Sequence, residues 1–106
     1  MTQPDASAPF EVDEQANGVI EVIGELDLAS AQRLAAVLNR QIDAGRLEVV
    51  LDLSKLQFCD STGLTVFVQA HRNLQRAGGR LLLQDASAHL RALLTTTALD
   101  QELEIT

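Results

Sequence analysis

The stretch QFCDSTGLTVF, residues 57–67, sets small polar residues between two apolar segments. Asp60, Ser61, Thr62 and Gly63 bring a carboxylate, two hydroxyls and a free-turning backbone into four positions. Such a group could be a catalytic site, a modification site or a helix start. As a nucleophile Ser61 would need a histidine base and an acid to orient it, and it does not sit in a Gly-x-Ser-x-Gly elbow. Two residues stand between Asp60 and Gly63, where the aspartic protease motif has one, so that chemistry fails on spacing. His71 and His89 fall on different predicted helices without a nearby cysteine or second histidine, which leaves a metal without its ligand set. Both read as structural, with His71 partly buried and His89 near a helix start. Cys59, the one cysteine, reads as a small buried apolar residue. Gly78-Gly79-Arg80 lacks the spacing and the Lys-Ser/Thr of a phosphate-cradling loop and reads as a turn. No catalytic constellation or cofactor site emerges, and Ser61 is left as a recipient of chemistry done elsewhere.

The elements that must position these residues follow from hydrophobic patterning. The chain has 106 residues, enough for one domain with a real core, and its 46% hydrophobic content comes with three Phe and no Trp or Tyr. A core of Leu, Val, Ile and Ala follows. The net charge of −7 repels phosphate backbones and anionic lipid, which argues against direct nucleic-acid or membrane binding. The opening MTQPDASAP has no apolar stretch suited to a signal peptide, and a cytoplasmic location is expected. Residues 1–9, with Pro4 and Pro9, read as a flexible lead-in to a single domain over 10–106. Asn17-Gly18 between β-branched runs predicts a hairpin. The nearly continuous Val19, Ile20, Val22 and Ile23 suit an inner strand covered by helices. Ser30 is expected to cap a helix from about Ala31 to Asp43, with Leu34, Leu38 and Ile42 on its apolar face. A strand over 47–53 and a loop over 54–60 lead to a second helix, from Thr62 to about Ala77. A strand over 80–84, a helix over 87–99 and a short strand over 102–105 complete the order. Strands alternating with helices predict an α/β domain, its sheet largely parallel after the hairpin.

In this frame Ser61 sits at the cap position of the second helix, where its hydroxyl can accept from unpaired backbone N–H groups. The same place suits a phosphate, which would meet the positive end of the helix dipole and could be added without unfolding the domain. Gly63, in the first turn, costs up to about 1 kcal/mol against alanine, and its missing side chain would let another surface approach closely.

These residues resemble a known family. GELDLASAQRL (24–34), VVLDLSKLQFCDSTGL (49–64) and AGGRLLL (77–83) look like a STAS domain, and more narrowly a bacterial anti-sigma factor antagonist. The resemblance implies a mixed sheet of four or five strands with helices mainly on one side. It implies a binding module and not an enzyme, with no cofactor of its own. Its partner would be an anti-sigma factor of the GHKL kinase type, which uses ATP to phosphorylate the serine after the motif aspartate. Phosphorylation ends binding, and a phosphatase restores it. Here the acceptor is Ser61, with Thr62 as second choice. Asp27, in an exposed loop, would join Asp60, Ser61, Thr62, Gly63 and Leu64 at the partner interface, in a monomer or weak dimer. Thr65 stands where many members have glycine. The resemblance leaves two other roles open: a STAS scaffold within a larger sensory assembly, or a cytoplasmic accessory subunit of a membrane transporter.

Overall fold

A computed structural model describes residues 10–106; the expected lead-in over 1–9 lies outside them. The hairpin forms as its turn signal requires. Strand β1 (Phe10–Glu14) runs antiparallel to β2 (Val19–Leu26). The turn closes through Gly18 N–H donating to the Gln15 carbonyl and Val19 N–H donating to Asn17 Oδ1. From β2 onward every strand pairing is parallel, through β3 (Glu48–Asp52), β4 (Leu56–Cys59), β5 (Arg80–Gln84) and β6 (Glu104–Ile105). The order across the sheet is β1-β2-β3-β5-β6, with β4 also paired to β2. Helices α1 (Leu28–Asp43), α2 (Ser61–Arg76) and α3 (Ala88–Thr96) connect the parallel strands.

Side chains alternate along each inner strand. Ile20, Val22 and Leu26 of β2, Val49 and Leu51 of β3, and Leu81 and Leu83 of β5 are buried. They form one core with Leu34 and Leu38 of α1, Leu64, Phe67 and Leu74 of α2, and Leu90 and Leu94 of α3. All three helices therefore cover one face of the sheet, as right-handed crossovers stepping in one direction require. β2 is an inner strand, but helices cover it on one side alone.

Four expectations change. The third helix stops at Thr96 and not at Leu99, and Ala98 between them turns to φ +62°. The loop over 54–60 contains a strand: Leu56–Cys59 pairs with the upper half of β2, giving a sixth strand. Its four residues with a single central polar–aromatic pair carry too little alternation to be read as a strand. The first helix begins at Leu28, one turn before the expected Ala31, and Asp27 caps it instead of Ser30. The second begins at Ser61, with Asp60 and not Ser61 as cap. Asp and Ser cap about equally well, so local propensity does not choose between them. The end of β2 at Leu26 and of β4 at Cys59 does.

Candidate functional site

The site stands where β2 and β4 end side by side. Leu26 pairs with Cys59, and Asp60 N–H donates to the Leu26 carbonyl at 3.2 Å. The next residues, Asp27 and Asp60, thus leave the sheet together although 33 positions separate them, and each starts a helix. Gly24 makes this pairing possible. The ladder shifts register between Gly24 and Glu25, and Gly24 has φ +99°, a conformation other residues avoid. That is a local reason for glycine at the head of the Gly-Glu-Leu-Asp stretch.

At the start of α1, Asp27 Oδ1 accepts from Ala29 N–H at 3.0 Å and Ser30 N–H at 3.2 Å. Ser30 Oγ accepts from Asp27 N–H at 2.9 Å and donates to the Glu25 carbonyl at 2.7 Å. This is a reciprocal capping box. Asp27 is half-buried and committed to the helix end, in place of the exposed loop residue expected.

At the start of α2 the cap is one-sided. Asp60 Oδ1 accepts from Thr62 N–H at 2.9 Å and from Gly63 N–H at 3.4 Å. Ser61, the first helical residue, is exposed, and its hydroxyl makes no hydrogen bond among the described residues. Its carbonyl accepts from Thr65 Oγ1 at 3.0 Å, so Thr65 braces the first turn. Thr62 is half-buried. A groove of about 320 Å³ runs from Ser61 along α2 past Leu64, Val68 and Arg72 to Thr97 and Leu99.

Two residues expected at the interface point inward. Gly63 is buried, and a Cβ there would lie 2.7 Å from both Cys59 Sγ and a Leu26 methyl. The close approach that glycine permits is made by the chain's own core and not by an outside surface. Leu64 is 4% exposed and belongs to the core cluster. The accessible part of the site is therefore Ser61 with the edges of Asp60, Thr62 and Asp27. Cys59 lies beneath them, its thiol pushed up to about 12 by burial and by the Asp60 carboxylate. It stays a neutral packing group.

Elsewhere, His71 is buried more deeply than expected, and its Nδ1 finds no partner among the described residues. His89 lies in the first turn of α3, whose cap Ser87 accepts from Leu90 N–H. Sequence reasoning missed the exposed Leu28, at 70%, and Phe58, at 46%, beside this rim. Leu28 directly follows Asp27 and Phe58 stands two residues before Asp60, and that closeness to the capping aspartates was the available signal.

The STAS domain family matches residues 8–106. The chain belongs to this family. It is 34% identical over 87 residues to the anti-sigma-B factor antagonist of Listeria monocytogenes, covering 81% of this chain and 75% of that protein. It is 37% identical over 68 residues to BtrV of Bordetella bronchiseptica, covering 64% of this chain but 59% of that protein, less than two thirds of its length. Among solved structures, the Bacillus cell fate determinant SpoIIAA in its phosphorylated form superimposes with a TM-score of 0.70 at 21% identity, over 92% of this chain and 91% of that one. Mixed α/β topology with a six-stranded sheet and three helices is thus the STAS fold in this chain.

Proposed function

We propose that this chain is an anti-sigma factor antagonist whose binding to an anti-sigma factor serine kinase is switched off by phosphorylation of Ser61. The observation that carries the reading is the free, exposed hydroxyl of Ser61 at the head of α2, relieved of capping duty by Asp60. A kinase can take that hydroxyl without first breaking the helix end. The names of the relatives point the same way.

In the unmodified state the kinase docks on the rim formed by Asp27, Asp60, Ser61 and Thr62, and the sigma factor is released. Phosphoryl transfer follows: Ser61 Oγ attacks the γ-phosphorus of the kinase's ATP, ADP departs, and the hydroxyl proton passes to a base on the kinase. The product carries about −1.5 to −2 added charges beside two carboxylates, in a surface built of small side chains. Like charge and bulk oppose docking there, while the helix dipole makes the phosphate tolerable to the fold. A phosphatase hydrolyses the ester and resets the rim. All of this runs in the cytoplasm and needs no cofactor in the chain itself.

The test is transfer of labelled phosphate from ATP by the cognate anti-sigma kinase, with the acceptor mapped by mass spectrometry. Label on Ser61, lost in Ser61→Ala and kept in Thr62→Ala, is the expected result. Label kept in Ser61→Ala and lost in Thr62→Ala moves the switch to Thr62, and no label in the native chain removes the switch.

A further inference from the structure

The sheet face opposite the helices has a composition of its own, set by strand register. Because Ile20 and Leu51 point into the core, their neighbours point outward. Val19 stands beside Val50, and Val50 beside Leu82, making an apolar row across three strands. Ile23 lies further along β2, and Phe58, paired with Glu25, extends the same face toward the rim that holds Ser61. The next row is acidic: Asp13 stands opposite Glu21, and Glu21 beside Asp52. Glu11, Glu25 and Glu48 border the apolar residues.

Like charges in directly opposed strand positions cost stability, and a half-solvated sheet face gains nothing from keeping them in register. Local duties account for part of the row. Asp52 Oδ1 accepts from Ser54 N–H, and Glu21 lies 3.4 Å from Lys55 Nζ. Asp13 and Glu25 have no side-chain partner among the described residues. The cations nearest the face are Lys55, Arg80 and, at its edge, Arg46. Lys55 pairs with Glu21, and Arg80 with Glu104 at 3.1 Å. Arg46, which shares a cavity with Val50 and Glu48, donates from Nε to Gln41 Oε1 at 2.8 Å. The other five Arg of the chain lie in the helices. The excess negative charge is thus concentrated around an apolar centre.

We infer that this open sheet face is a second docking surface, fitted to a cationic amphipathic segment of a protein partner. Apolar side chains would cover Val19, Val50, Leu82 and Phe58, and Lys or Arg on either flank would meet the carboxylates. Charge chooses among the possible occupants. A second copy of the chain would bring the same acidic face to itself, and nucleic acid and anionic lipid would be repelled. The inference is independent of the Ser61 switch, since it concerns the face away from α1 and α2.

The test uses the full ¹⁵N-labelled chain and two synthetic amphipathic peptides of equal length, one of Lys and Leu, the other of Glu and Leu. The Lys/Leu peptide is expected to shift the amide signals of Val19, Val50 and Leu82 saturably at physiological salt. Asp13→Lys with Glu25→Lys should weaken it about tenfold or more, as loss of complementary charge does, with an unchanged circular dichroism spectrum. Leu82→Ser, checked for folding in the same way, should weaken it as well. Shifts on the helix layer, equal binding by the Glu/Leu peptide, or undiminished affinity in folded Leu82→Ser would each overturn the inference. So would absence of shifts, or stronger binding to zwitterionic vesicles than to the peptide, which would make the face a lipid surface.

Discussion

The starts of α1 and α2 lie side by side and use the same residue types, yet they end in opposite states. Each follows a strand end, each is capped by an aspartate, and each has a serine within its first turn. In α1 the serine is the third helical residue, Ser30. It is 5% exposed and bonded both to the Asp27 amide and to the Glu25 carbonyl. In α2 the serine is the first helical residue, Ser61, exposed and without a bond from its hydroxyl among the described residues. Two positions along a helix separate a structural hydroxyl from one that an outside enzyme can reach. The comparison also shows why the aspartate matters at α2: by taking the Thr62 and Gly63 amides, Asp60 frees the serine from the cap.

The largest effect should come from adding charge at Ser61. If the two starts differ as described, Ser61→Asp keeps the native fold and loses about a hundredfold or more in affinity for the proposed anti-sigma kinase partner, since like charge at an interface costs several kcal/mol. Calorimetric titration measures this. Equal affinity of the Asp variant and the native chain would end the comparison's functional half. The same substitution at Ser30 should instead unfold the α1 start, as an ionised group enters a buried, already bonded position.

Next in size is Gly63→Ala. The added methyl meets Cys59 Sγ and Leu26 within contact distance, and overpacking of this kind costs about 1–3 kcal/mol. Chemical denaturation reads it directly. Cys59→Ala in the same chain should restore part of the loss by removing the sulfur. Failure of that rescue would mean that Gly63 is not held by core packing.

The caps themselves should follow. Asp60→Ala and Asp27→Ala are each expected to cost roughly 0.5–2 kcal/mol, or several degrees in melting temperature for a domain of this size. Asp27→Ala should sit at the higher end because it also removes the 3.2 Å contact between Ser30 Oγ and Asp27 Oδ1, although the hydroxyl keeps the backbone amide of residue 27 and the Glu25 carbonyl. A stability change near zero for Asp27→Ala would return that residue to the exposed role the sequence first suggested. The smallest effect belongs to Ser61→Ala, within about 0.5 kcal/mol, because the cap does not depend on it. A loss as large as that of Asp60→Ala would show the serine capping after all.

The chemistry of Cys59 offers a last check on the packing beneath the site. With its thiol raised to about 12, the reactive thiolate is scarce at neutral and mildly alkaline pH. Alkylation of the native chain at pH 8 should be slow and should become fast in denaturant. Fast labelling of the native chain would mean that the Cys59–Gly63–Leu26 contact opens in solution.

Much of this molecule was legible in its sequence because the signals were local. Asn17-Gly18 marked the hairpin, alternation marked β2, β3 and β5, and the apolar stripes through Leu34 and Leu38 and through Leu64 and Phe67 marked the inner faces of α1 and α2. The Asp-Ser-Thr-Gly-Leu run after a strand pointed to Ser61, and the segments at Gly24 and Val49 pointed to the family. The tertiary structure decided the rest because it rested on pairings across the chain. Whether Asp60 or Ser61 caps α2 depends on where β4 stops, and β4 exists as a strand through its ladder with β2. The same ladder sets Asp27 beside Asp60, turns Gly63 onto Cys59 and Leu26, and fixes which carboxylates share the open face of the sheet. Sequence supplied the residue types; register, a property of two strands together, chose which of them face outward and remain free to react.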